Sequence, residues 1–158
     1  MNSEFSLKYP EIEKYPKTEY QKKIRKLVFN QFLNDFDLTN SNLYVVERFQ
    51  NRGGHHVITK HQTVMIYFWQ DDQLLEVYHV KDNYELEARK EQNWGTDYII
   101  PTLEFIQENF EKNQLDSIKN KSENIKYQFN HPGEFFITEL DNKLNVLKAM
   151  KCEEFEIE

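Results

Sequence analysis

Cysteine is almost missing from this chain: Cys152 is the only one in 158 residues. A lone cysteine permits no disulfide within the chain, the pattern of a reducing compartment. Glycine is scarce too, with four residues in all. Neither a Gly-x-Gly-x-x-Gly loop nor a P-loop occurs, and no Gly-x-Ser-x-Gly elbow, so phosphate-cradling and α/β-hydrolase chemistry are excluded at the level of motif. No run approaches the roughly 18 apolar residues of a membrane span. The first eight residues show no basic segment leading into an apolar one, so no secretory leader is expected. Positive charge is in deficit, with 20 Lys and Arg against 27 Asp and Glu, a net charge of -7 and a pI near 5.3. Such a chain has no electrostatic drive toward a phosphate backbone, which disfavours direct nucleic-acid binding. These absences together predict a cytoplasmic protein with no membrane segment.

Aromatic residues are plentiful. They make up 15% of the chain, against a modest 39% hydrophobic content. Large rings supply buried area per residue, which argues for a packed core despite 30% charged residues. The densest apolar stretch spans about 43–80. Leu43–Phe49, His56–Thr59 running on into Thr63–Trp69, and Leu74–Val80 are rich in β-branched and aromatic residues and read as strands of an antiparallel meander. Gly53-Gly54 permits one hairpin turn, and Gln70-Asp71-Asp72-Gln73 supplies another as a four-residue loop. Val64, Ile66 and Phe68 alternate with Met65, Tyr67 and Trp69, and both sets are apolar. A strand apolar on both sides belongs inside a sheet that is covered on both faces.

Helices flank this stretch. Residues 1–17 contain Pro10 and Pro16 and read as irregular. Thr18 with Gln21 forms a capping box for a helix over about 18–36. Its wide apolar stripe includes Ile24, Val28 and Phe32, and Lys22, Lys23, Arg25 and Lys26 form a basic band. Asp82 or Asn83 can cap a short, weakly amphipathic helix that ends at Trp94-Gly95. A second long helix over about 100–113 carries Ile99, Leu103, Ile106 and Phe110 on one face, with Pro101 in its first turn. Leu115–Asn124 reads as a frayed helix or a loop. Strands return over about 125–157, with a two-residue turn at Asp141-Asn142 and a charged edge strand around Phe155 and Ile157. The order describes a single α+β domain whose two strand groups share one mainly antiparallel sheet.

Polar chemistry is sparse. Histidines gather at the meander as His55, His56, His61 and His79. Adjacent histidines on a strand point to opposite faces, and no pairing of His56 and His61 with Asp71 or Glu47 matches a zinc spacing, so no metal and no cofactor is expected. Cys152 lies in an acidic tail, which raises a thiol pKa rather than activating it. An enzymatic alternative, a hydrolase or nucleotide-processing enzyme, would use a pocket formed by Glu47, His56, His61 and His79, with Arg48 as its cation. The leading expectation is a binding protein. Its concrete form is an immunity protein or inhibitor that occludes the active site of a basic, nuclease-type toxin. Carboxylates would steer the encounter and aromatic residues would anchor it. The expected contact residues are Glu85, Glu87, Glu91, Trp94, Asp97 and Tyr98. A third reading, a DNA-mimic inhibitor of a defence nuclease, shares the acidic logic and requires carboxylates spaced like phosphates along one face.

Overall fold

A computed structural model describes residues 19–51, 62–81, 83–90, 97–124 and 133–157. Helix α1 spans Glu19–Asp35 and feeds strand β1, Leu43–Asn51. Strands β2 (Gln62–Gln70), β3 (Gln73–Val80) and β4 (Leu86–Ala88) follow. A 3-10 turn at Asp97–Ile99 leads into α2, Ile100–Glu111. Helix α3 covers Leu115–Asn124, and β5 (Glu134–Leu140) and β6 (Val146–Glu153) complete the order. The six strands form one antiparallel sheet in the order β4-β3-β2-β1-β5-β6. The two strand groups therefore share a sheet, joined where β1 pairs with β5 from Leu43↔Leu140 to Phe49↔Glu134. The fold is α+β, with three helices packed on the sheet. No described helix is long and apolar enough to cross a membrane.

The sheet is covered on both faces, as the two-sided pattern of Val64–Trp69 requires. On one face α1 lays Ile24, Val28, Phe29 and Phe32 against Val45, Val64, Ile66 and Phe68. On the other, Leu103, Ile106 and Phe110 of α2 and Ile118 of α3 meet Tyr44, Val46, Tyr67 and Trp69. Helix α2 begins at Ile100 with Pro101 in its first turn, where proline forfeits no helical hydrogen bond. Leu115–Asn124 is a helix because Ile118 and Ser122, four residues apart, are both buried.

The connections depart from the sequence reading in three places. The short helix expected after Val80 is instead β4. Lys81 to Glu85 forms a turn, closed by Lys81 N–H donating to the Glu85 carbonyl (2.9 Å) and Tyr84 N–H to the Lys81 carbonyl (2.9 Å). That reversal sets Leu86 beside Val80 and Ala88 beside Tyr78, and the open edge of β3 outweighs a weak helical preference. Second, Asp71 and Asp72 form a two-residue hairpin turn, with Gln70 paired to Gln73 and both central residues at positive φ (54° and 58°). Third, β5 and β6 are joined by a five-residue loop rather than a two-residue turn, and β6 starts at Val146. The Asp141 carboxylate organises that loop. It accepts from the backbone N–H of Lys143 (2.9 Å) and Asn145 (2.8 Å), while Leu144 takes positive φ. The tail beyond Glu153 is no edge strand. Phe155 is buried against Phe105 and Phe135, and Ile157 N–H donates to Thr102 Oγ1 (2.9 Å). The irregular segment 1–17, the Gly53-Gly54 turn and the strand expected over Ile125–Phe129 lie outside the described residues.

The Asp141 loop yields a pH prediction. The hydrogen bonds from Asn145, ahead of that from Lys143, hold the Asp141 carboxyl below its ordinary value of 3.8. A folded-state pKa below the unfolded one contributes stability that is present above 3.8 and lost as pH falls through the lowered value. Asp141→Asn should therefore lower the urea midpoint at neutral pH, and the difference from wild type should shrink as the pH drops below 3.8. A difference that stayed constant into acid would mean the carboxylate charge plays no part.

Candidate functional site

Glu47 and Arg25 meet inside the α1 face of the sheet. Arg25 Nε donates to both Glu47 oxygens (3.0 and 2.9 Å), and Nη2 donates to Oε1 at 2.6 Å. Glu47 is fully buried and Arg25 is 6% exposed. Arg25 therefore does not belong to the solvated basic band that the sequence of α1 implies. The Glu47 carboxylate is taken up by Arg25, and among the described residues it bonds to no histidine. His79 follows the alternation of β3 onto the opposite face, where it lies across from Met65. His56 and His61 lie outside the described residues.

His79 instead joins a charged cluster at the β3–β4 edge. It pairs across the strands with Glu87, and its Nδ1 lies 3.1 Å from Arg89 Nη2. Glu87 receives Arg89 Nε at 2.7 Å and lies 3.3 Å from Lys81 Nζ. These cations, Arg89 foremost, hold its carboxyl below the usual range. Glu87 is thus neutralised within its own edge. Glu85 is exposed and Tyr98 is 43% exposed. Asp97 opens the 3-10 turn, while Glu91 and Trp94 lie outside the described residues. Of the six expected contact residues, the structure shows two carrying free surface.

A second buried polar bracket ties the tail to the sheet. Arg48 Nε donates to Glu154 Oε2 (2.5 Å), and Gly133 N–H donates to Glu154 Oε1 (2.7 Å). Next to it, burial foremost, then the nearby Tyr98, pushes the Tyr67 phenol far above its usual range. Burial likewise pushes the Cys152 thiol up to about 12, so at neutral pH it is no nucleophile.

A concave feature lies at the other end of the strands. A cleft of about 650 Å³ lies between the α1–β1 loop, the Asp71-Asp72 turn, the end of α2 and the start of β6. Four carboxylates line it: Asp71, Asp72, Glu111 and Glu139. Asp71 is engaged by Thr39 Oγ1 (2.8 Å) and by Ser41 Oγ, which hold its carboxyl below the usual range. Glu139 is 4% exposed, and its Oε2 accepts from Tyr44 Oη (2.8 Å) and Asn42 Nδ2 (2.9 Å). Burial first, then Glu139, Glu111 and Asp72, raise the Tyr44 phenol far above its ordinary range, so three carboxylates act on one hydroxyl. Lys148 is the cation that lines the cleft, and it pairs with Glu139 across β5 and β6. Its ammonium is drawn instead to the Phe110 carbonyl at the end of α2, where the helix dipole is negative.

No known protein family, curated protein or solved structure matches this chain.

The cleft is suited to holding positive charge. Among the described residues no group of three or more His, Cys, Asp or Glu is placed to hold a metal ion. Sequence reasoning missed it, though one signal was available. Glu139 continues the inward alternation of Phe135 and Ile137, so a carboxylate occupies a position that periodicity assigns to the core.

Proposed function

We propose that this protein is a small binding protein for a basic protein partner, most concretely an immunity protein or inhibitor that occludes a nuclease-type toxin. The carrying observation is the cleft, where four carboxylates face one lysine whose ammonium is committed to a backbone carbonyl. An acidic concavity on a chain of net charge -7 speeds encounter with a cationic surface and selects against acidic ones. Glu139, Glu111 and Asp72 come from three different segments and all act on the Tyr44 hydroxyl. That favours a receptacle for a cation over an imitation of a phosphate ladder. The contact surface is accordingly centred on Asp72, Glu111 and Glu139.

The test is capture of a partner from the native host by tagged protein at low and high salt. Wild type should retain one basic protein at low salt and release it at high salt. The Asp72→Asn/Glu111→Gln variant neutralises two exposed carboxylates and should retain far less. Equal retention by the variant would move the interface elsewhere, and empty beads at both salts would sink the reading.

A further inference from the structure

Glu139 carries the deepest charge in the cleft, and one of its oxygens is unused. Its Oε2 takes both hydrogen bonds, from Tyr44 and Asn42, while Oε1 has no hydrogen-bond partner among the described residues. A carboxylate that is 4% exposed and lines an open cleft is an uncommon expense of desolvation. Here it has no ion-pair partner among the described residues, because Lys148 is held by Phe110. Asp72 likewise has no hydrogen-bond or ion-pair partner among the described residues. Beside these groups stands Leu147, one of two large hydrophobic residues left exposed among the described residues, at 43%.

We propose that the cleft receives a single lysine side chain of a protein partner, with Glu139 Oε1 accepting from its ammonium and Tyr44 and Leu147 flanking its methylene stem. The inference rests on the binding-protein reading above and names the chemistry of the contact. Lysine fits better than arginine for a geometric reason. A guanidinium binds best through two parallel hydrogen bonds to both oxygens of a carboxylate, and Oε2 is already filled. An ammonium is a compact charge with three donors, able to use one oxygen of Glu139 and reach a second carboxylate such as Asp72. A four-carbon stem then covers the exposed Leu147, as lysine stems do along apolar surface.

The test needs no partner. Full-length protein is titrated with acetyl-Gly-Lys-Gly-amide and, separately, acetyl-Gly-Arg-Gly-amide, following backbone amide shifts by NMR. The lysine peptide should give saturable shifts at Tyr44, Glu139 and Leu147 and bind several-fold more tightly than the arginine peptide. Glu139→Gln keeps an oxygen for Tyr44 and should weaken lysine binding about tenfold, the scale of one charge-assisted hydrogen bond. Asp72→Asn is the second variant. Asn tolerates the positive φ there, and the change should also weaken binding while leaving the fold intact. Glu19→Gln, on the exposed side of α1, should change nothing. Absence of saturable shifts, tighter binding of the arginine peptide, or undiminished binding in both variants would each overturn the assignment. Lysine-peptide binding without any captured partner would keep the site and remove the proposed function. A captured basic partner without lysine-peptide binding would do the reverse.

Discussion

Glu47→Ala is expected to cost about 3–5 kcal/mol of folding stability, the scale for breaking a buried ion pair from one side. The cost comes mainly from what is left behind. Arg25, 6% exposed in the native fold, would keep its charge while its Nε and Nη2 lost a carboxylate that accepts three hydrogen bonds, and a water entering the space supplies no countercharge. The pair also joins α1 to β1, so its loss loosens a helix from the sheet. Replacing both partners together, Arg25→Met with Glu47→Leu, should recover most of the stability, because desolvation of both charges is then avoided. Urea denaturation of Arg25→Met, Glu47→Leu and the double variant forms the cycle, with Glu47→Ala measured beside it. If Glu47→Ala cost less than about 1 kcal/mol, the pair would be behaving as a solvated surface bridge. The same variant separates structure from chemistry: under the enzymatic alternative Glu47 would act on substrate, whereas here its loss should appear in stability.

Phe68→Ala should cost a similar amount, about 3–5 kcal/mol. Phe68 is fully buried at the centre of the α1 face. Its ring stacks on Phe32 with centroids 3.9 Å apart and an interplanar angle of 7°. Phe29 and Tyr78 meet it edge-on at 5.3 and 5.8 Å. Truncation removes three ring contacts as well as the transfer free energy of the side chain. The surrounding residues sit on two rigid elements and can close little of the cavity. Phe36, stacked on the outer side of Phe32 and only partly buried, provides the internal comparison. Phe36→Ala should cost less than half as much by the same denaturation measurement. Equal losses at the two positions would contradict the central placement of Phe68.

Much of the architecture was legible because periodicity reports burial of a local segment. The double apolar alternation of Val64–Trp69 already demanded a strand covered on both faces, and the structure covers it with α1 on one side and α2 with α3 on the other. The four-three-four spacing from Ile99 to Phe110 marked the face that α2 buries. Glu139 shows where this kind of reading stops. Its alternation placed it on an inner face, but whether that position opens to solvent depends on Asp72, 67 positions earlier, and Glu111 on a helix. The sites divide in the same way. Glu47 and His79 belong to one expected pocket of the meander, yet the register sends them to opposite faces, with β2 between their strands.

The α+β class, the sidedness of the central strands and the acidic balance could be read from the residues, because each follows from composition or from a repeat within one element. Three things came only with the folded chain: Arg25 is a core residue, Leu86–Ala88 extends the sheet, and carboxylates from three distant segments share one cleft. Those outcomes depend on which strand edge is open and which side chain meets which across the sheet. Such pairings are set by long-range register, and no local pattern encodes them.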